Sequence, residues 1–398
     1  MNNITKTVAT ALLATTLAAC SSPKNATNDT EQQQKESSFA MNFFKTASAT
    51  IKEENFCISP ASAMWALSMS ANGANGKTAK EMYTALGCPD AYNNREAYNS
   101  LQYSAIQGIN NSKKAEVTIA NSIWLDNSIE VKEQFKETNS KYYNAIVQST
   151  TLSTATDEIN NWCSNATRGR INNIVPALPP AAQMALVNAL YFKGLWKRPF
   201  IDNYTRKTTF RKANGEVIEV DMMKQEWFAT YYEDEFMQAC AKELTAGEYS
   251  MLFILPQEGV TTEEAAQRVA QIYDNNFVKG NEYMFEFEVP KFKIEFATNI
   301  IPTLRAMGIE RAFTTDADFS RISIGAPYMD HIVQKNYISI DETGVEAAGA
   351  TADIRSGFMP PPADKSKHMK LNRPFIFAIR ENAGGTILFM GRVGNPNE

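Results

Sequence analysis

The spacing of apolar positions divides the chain into an early helical part and a later part dominated by strands. Met64–Met69 and the run from Met82 to Leu86 are read as helices, and Asp157–Ala166 as a short helix with Ile159 and Trp162 three apart on one face. Thr118–Leu125 is rich in β-branched residues and is read as a strand. Gln183–Phe192 is an apolar strand carrying a single polar residue, Asn188. Further strands are expected at Thr208–Phe210, Glu216–Met223, Trp227–Tyr232, Ser250–Leu255 and Tyr283–Phe296. Turn signals fall at Ala213-Asn214-Gly215 and Pro256-Gln257-Glu258-Gly259. Thr298–Met307 returns to helix, with Gly308 as its stop. Helices, then many strands, then a closing hairpin make a single α+β domain without internal repeats.

The stretch from Asp341 to Pro362 breaks this rhythm. It lies between two strand-like runs, Tyr337–Ile340 and Pro374–Ile379, where a short turn would suffice. Its first half is almost entirely small: Gly344, Ala347, Ala348, Gly349, Ala350, Thr351 and Ala352, with Val345 and Ile354 interspersed. Long connections inside a domain are usually functional or disordered, and disordered linkers favour charge, Ser, Gln and Pro instead. Small side chains lose little entropy on ordering, so the segment suits a strand that is exposed in one state and slots between other strands in another; on this stretch alone, a flexible Ala-rich surface loop fits equally well. Gly344 would permit the backbone rotation at its base.

With 44% hydrophobic and 21% charged residues, the composition is that of a soluble globular domain. A net charge of -5 gives no basis for nucleic-acid binding. Residues 1–19 read as a targeting segment, with Lys6 as the positive end and an apolar run from Val8 to Leu17 too short to span a bilayer. Leu17-Ala18-Ala19-Cys20 resembles a lipobox, which would place a lipid on Cys20; the alternative is an ordinary secretory signal with an incidental cysteine. Residues 20–38 are polar and suit a solvated tether, leaving 39–398 as the folded domain. The expected location is therefore a bacterial membrane, on the outer membrane, its periplasmic face or the cell surface, with the protein held there as a lipoprotein.

Cys57, Cys88, Cys163 and Cys240 are widely spaced; buried thiols and disulfides both fit, and a core of this size needs no staples. There is no GxSxG elbow, HExxH, Walker loop or GxGxxG, and with two histidines, His331 and His368, no catalytic constellation or metal-ligand spacing emerges. No cofactor is expected, and the protein reads as a monomer that is not an enzyme. The basic run Lys365, Lys367, Lys370 and Arg373 reads as a solvated loop, with binding of a polyanion such as heparin as the alternative.

The chain resembles the serpin family from about Phe39 to Pro396. The resemblance is carried by Asn55-Phe56-Cys57-Ile58-Ser59-Pro60-Ala61-Ser62, Ala66–Met69 and Gly73–Thr78, then NATRGRINNIVP at 165–176, LVNALYFKGLWKRPF at 186–200 and LNRPFIFAIRENAGGTILFMGRVGNP at 371–396, all in the family's order. It implies a large central sheet, further sheets and an exposed reactive-centre loop at about 342–370. It also implies a suicide inhibitor of serine proteases, and sometimes of cysteine proteases, that is cleaved in the loop and traps the acylated protease by inserting the freed strand into the sheet.

By resemblance, the residues fall into four groups. Glu342, Gly344, Val345, Glu346, Ala347, Ala348, Gly349, Ala350 and Thr351 form the hinge, and Val345, Ala347, Gly349 and Thr351, pointing inward on insertion, are all small or apolar. Ser59, Ser62, Asn188 and Gln334 occupy the shutter beneath the opening sheet, where Gln334 stands in place of the family's histidine and leaves no titratable member. Trp196 and Lys291 belong to the breach at the top of the sheet, with a surface Glu342–Lys291 pair expected. Counting Glu342 as the seventeenth residue before the cut, the reactive bond is Phe358–Met359, with Met359 or Arg355 as alternative acyl donors. Phe358 suits chymotrypsin-, cathepsin G- or subtilisin-like proteases. Asp353 and Arg355 would also point inward, where a charge is costly unless paired; unless they pair with each other or that end of the sheet stays wet, insertion would be slow and the molecule would behave partly as a substrate. The alternative function is a non-inhibitory serpin acting as a surface binding module, from which the uncharged hinge residues Val345, Ala347, Gly349 and Thr351 point away.

Overall fold

A computed structural model describes residues 38–274, 277–278, 282–324, 327–346 and 366–398. Helix α1 covers residues 38–50 and is followed by a short strand, β1 (Phe56–Ile58). Helix α2 (Pro60–Gly73) is buried along its whole length, as an all-round apolar helix must be. Its start is fixed by Ser59, whose side chain accepts from the Ser62 N–H, and by Pro60 in the first turn, where a missing N–H costs nothing. Helices α3 (Gly76–Ala85) and α4 (Arg95–Asn110), strand β2 (Glu116–Asp126), helix α5 (Glu133–Tyr143) and strand β3 (Ile146–Thr150) lead to α6 (Thr156–Ala166). The strand-rich part comprises β4 (Met184–Leu195), β5 (Arg206–Arg211), β6 (Val217–Glu233), β7 (Met237–Leu244) and β8 (Tyr249–Pro256). After α7 (Thr262–Ile272) come β9 (Glu282–Pro290), β10 (Phe292–Asn299), α8 (Ile301–Ala306), β11 (His331–Ile340) and β12 (Gly344–Val345). The last elements are β13 (Ser366–Lys370), β14 (Phe375–Glu381) and β15 (Ile387–Val393).

Two sheets organise the α+β domain. One has six strands in the order β10-β11-β12-β4-β2-β3, and the other runs β1-β15-β14-β8-β7-β6-β9-β13 with β5 added to β6. Glu216–Met223 and Trp227–Tyr232, expected as separate strands, belong to one 17-residue strand, β6, because nothing between them breaks an extended backbone. One part of β6 pairs with β5 and β9 and its far end with β7. The run Tyr283–Phe296 does the opposite: it divides at Lys291, whose N–H bonds the Asp221 carbonyl, and β9 and β10 enter different sheets.

Of the basic run expected as a solvated loop, Lys367 and Lys370 lie in strand β13, paired in parallel with β9 at the sheet's edge, Arg373 follows the strand, and Lys365 lies outside the described residues. Met369, fully buried, anchors it. The four described cysteines are buried thiols outside any disulfide; burial pushes the Cys163 thiol up to about 12 and raises those of Cys57 and Cys240 further, so these three act as small core hydrophobes.

Candidate functional site

The six-stranded sheet changes character along its centre. Strands β11 and β4 pair directly and in parallel from His331–Lys335 with Ala185–Ala189. Higher up they part, and β12 lies between them, antiparallel to both: Val345 opposes Ile340 on one side and Gly194 on the other, and Gly344 opposes Leu195. The chain reverses from β11 into β12 through an Asx turn, in which Asp341 Oδ1 accepts from the N–H groups of Thr343 at 2.8 Å and Gly344 at 3.1 Å. Gly344 is required by space. A Cβ there would overlap the Gly194 carbonyl oxygen and lie 2.8 Å from Leu195 Cα. Val345 is 1% exposed, as its inward assignment requires.

Glu346 ends the inserted stretch. Its N–H still bonds the Ser339 carbonyl at 2.7 Å, but its φ of 50° is left-handed, a region uncommon for a side-chain-bearing residue. Burial raises the pKa of its half-buried carboxyl, with Tyr191, Arg170 and Lys193 acting in the opposite sense. Ala347, Ala348, Gly349, Ala350, Thr351, Phe358 and Met359, together with Cys20, lie outside the described residues.

The base of β12 is clamped by the segment after β4. The Trp196 N–H donates to the Thr343 carbonyl (2.9 Å), the indole Nε1–H to the Asp341 carbonyl (2.8 Å), and the Phe200 N–H to the Glu342 carbonyl (2.8 Å). Glu342 itself is buried, where a surface pair was expected: its Oε1 meets Lys291 Nζ at 2.7 Å and accepts from the Thr205 hydroxyl at 2.6 Å. Burial works to raise its pKa, yet the bonds from Lys291 and Thr205 hold it below the usual carboxylate range. Thr205 gave no signal in the sequence, being an ordinary threonine in a polar stretch.

Beneath this clamp lies Lys242, 2% exposed and without a carboxylate partner among the described residues. Its ammonium stands over the rings of Phe200 (4.4 Å), Trp227 (4.5 Å) and Trp196 (5.5 Å). It donates to the Arg198 carbonyl at 2.9 Å and to Gln225 Oε1. Burial pulls its pKa down to about 7.

Lower in the sheet, the four residues expected in the shutter, Ser59, Ser62, Asn188 and Gln334, separate into two neighbouring sets. Gln334 grips the backbone of Ser59 at both ends of its amide: Nε2 donates to the Ser59 carbonyl at 2.9 Å and Oε1 accepts from the Ser59 N–H at 3.2 Å. Ser62 joins through its own N–H, which donates to Ser59 Oγ. Asn188, level with Gln334 in the ladder, reaches across to its partner in β2 and donates to Asn121 Oδ1, and Asn121 in turn donates to the Tyr143 carbonyl at 2.9 Å. Asn336, not singled out in the sequence, adds a bond to the Cys57 carbonyl at 2.9 Å.

Helix α6 and the segment after it cross the sheet over this point. Ile159, Cys163, Ile171 and Val175 share one buried cluster with Ala185, Val187, Ala189 and Val333, and Lys335 Nζ donates to the Asn172 carbonyl at 2.8 Å. The direct β4–β11 pairing is thus roofed, and β12 sits at its open end.

Comparison with known proteins agrees with this geometry. A family model described as Serpin (serine protease inhibitor) matches residues 34–396. A serpin-like protein of Thermococcus kodakarensis is 32% identical over 91% of this chain and 85% of its own, and human neuroserpin is 29% identical over 93% of each. The crystal structure of the thermophilic serpin tengpin in its native state superposes with a TM-score of 0.84 at 31% identity, covering 92% of this chain and 94% of that one. Matched along nearly its whole length, the chain belongs to the serpin family, a family of protease inhibitors rather than enzymes.

Proposed function

We propose that the protein is a covalent, strand-insertion inhibitor of serine proteases of chymotrypsin, cathepsin G or subtilisin type. The observation that carries this reading is β12: two residues of the loop already run antiparallel between strands β4 and β11, which pair in parallel below them. In the proposed reaction the protease serine Oγ attacks the Phe358 carbonyl carbon. The Phe358–Met359 bond breaks, Met359 leaves as a free amine carrying a proton from the protease's general acid, and an ester joins Phe358 to the protease. Residues following Val345 then continue β12 down the gap, and the protease is carried away before water cleaves the ester.

The Glu342–Lys291–Trp196 clamp is the gate of this movement, and the Gln334–Ser59 and Asn188–Asn121 sets are the part of the sheet that must open. We further propose that residues 1–19 are removed, that Cys20 carries a lipid and that residues 20–38 tether the domain of residues 39–398 to a bacterial membrane. The targets would then be proteases that meet the cell surface or its periplasmic face.

A second reading, a non-inhibitory binding module, is favoured by the charges Asp353 and Arg355 on the inserting face and by 29% identity to the corticosteroid-binding globulin of Saimiri sciureus. Incubation with chymotrypsin and with trypsin separates the two. An SDS-stable adduct with chymotrypsin, and release of a peptide beginning at Met359, is the expected result. Cleavage without adduct and without a rise in thermal stability would sink the inhibitory reading.

A further inference from the structure

The outer face of the sheet next to the loop holds a cluster that the inhibitory reading does not use. In β9, Phe285, Phe287 and Val289 point into the core, so Glu286 and Glu288 stand together on the opposite face. Strand β13 runs alongside in parallel, with His368 level with Glu286. The imidazole Nε2 lies 3.3 Å from Glu286 Oε1 and 3.3 Å from Glu288 Oε1. Each carboxylate has its second oxygen held elsewhere: Glu286 Oε2 by Lys224 Nζ at 2.7 Å, and Glu288 Oε2 by Lys370 Nζ at 2.9 Å. The two Oε1 atoms are therefore the ones presented to the histidine.

From this geometry we infer a site for a divalent transition-metal ion, of the zinc, nickel or copper kind, ligated by His368 Nε2, Glu286 Oε1 and Glu288 Oε1. Donors about 2.0–2.1 Å from such an ion and at tetrahedral angles stand roughly 3.3–3.4 Å apart, which both nitrogen–oxygen separations match. The lysines act as outer-shell partners that orient the carboxylates, as such partners do in established sites. Their positive charge also offsets that of the carboxylates, so the affinity is modest. His368 and Glu286 are open to solvent, which leaves room for water to complete the coordination. No spacing in the sequence discloses the site, because its ligands lie about eighty residues apart and meet only through the β9–β13 pairing.

Strand β13 is an edge strand of five residues and directly follows the loop residues. A bound ion would pin it to β9 and so fix one root of the loop. The site itself stands whether or not the protein inhibits proteases.

The test uses the untagged full-length chain, whose only two imidazoles are His331 and His368. Titration with Zn2+ followed by NMR of the histidine side chains should shift His368 alone, saturating at one equivalent, while His331 stays in place. Calorimetry should show Cu2+ binding tighter than Zn2+. It should also show a loss of about tenfold or more in Zn2+ affinity for both His368→Gln and Glu288→Gln. Co2+ should give a visible spectrum without thiolate charge transfer, which excludes Cys20 as the ligand. An unperturbed His368 in excess Zn2+, or equal affinity in wild type and His368→Gln, would overturn the site. So would a His368 signal that responds to pH and not to metal.

Discussion

Replacing Gly344 with alanine tests the physical account of β12 at one atom. The added Cβ would occupy the space of the Gly194 carbonyl oxygen and sit 2.8 Å from Leu195 Cα, and both are backbone atoms of the long strand β4. A twelve-residue strand gives way less readily than a two-residue one, so β12 should leave the sheet. What is lost can be summed. Exposing the Val345 side chain forfeits about 1.5–3 kcal/mol. The bonds from Asp341 N–H to Gly344 O and from Glu346 N–H to Ser339 O contribute roughly 1 kcal/mol each. Freeing two backbone residues returns about 2–3 kcal/mol of conformational entropy. These contributions leave a net destabilisation of about 0.5–3 kcal/mol, up to a few degrees in thermal midpoint for a domain of this size. The sharper readout is amide hydrogen exchange, in which Val345 and Glu346 should lose protection while Val187 and Val333 in the paired region keep theirs. A Gly344→Ala protein with protected Val345 and Glu346 amides and an unchanged melting point would refute the reasoning.

Three further outcomes follow from the same region. Lys291→Met should cost about 1–3 kcal/mol at pH 7 by leaving the buried Glu342 with the Thr205 hydroxyl as its main partner. Since the folded pKa of Glu342 lies below its unfolded value, the stabilisation is present at neutral pH and fades as pH falls through that lowered value; urea midpoints of the two proteins should converge in acid. Lys242 shares the sign but not the cause: burial disfavours its charge, and with a folded pKa near 7 below its unfolded value, wild-type stability should rise between about pH 7 and 10 by up to ~1.4 kcal/mol per unit. Lys242→Met should abolish that slope, and an identical pH profile in the variant would contradict it. Gln334→His should fold at pH 8, where a neutral imidazole can bond the Ser59 backbone. It should lose stability below about pH 6.5, where the acceptor is protonated, and equal acid sensitivity in wild type would count against the Gln334–Ser59 account.

Local chemistry made much of the domain readable. The buried α2 announces itself through an apolar run capped by Ser59-Pro60, and the closing hairpin through Pro374–Ile379 and the apolar stretch after Gly385. The Glu342–Lys291 contact was expected from resemblance; its burial was not, because the roof over Glu342 comes from Trp196, Phe200 and Thr205, far away in sequence. Strand β12 was expected only within the small-residue stretch suited to slotting between strands, and nothing marks its two residues as already placed there. Two residues carry no periodicity, and their extended state is imposed by the gap they fill. The course of β13 was misread for a related reason: its charged residues lie on an outer face, and pairing with β9, not its own hydrophobicity, makes it a strand. Asn121 and Asn336 were invisible because a lone amide in a strand looks the same whether idle or bonded across the sheet.

The parallel seam between β4 and β11 has a consequence for what holds the molecule in its present state. A strand turning back from the top of β11 necessarily runs antiparallel to β11, and hence also to β4. Extending β12 downward would unzip the five residue pairs of the parallel ladder and lay two antiparallel ladders in their place. Each pair surrendered would be answered by two of a geometry that bonds slightly better. On the proposed function, the sheet would gain ladder bonds by taking in its own chain, and the packing of α6 and its following segment over the β4–β11 seam would be what resists that exchange.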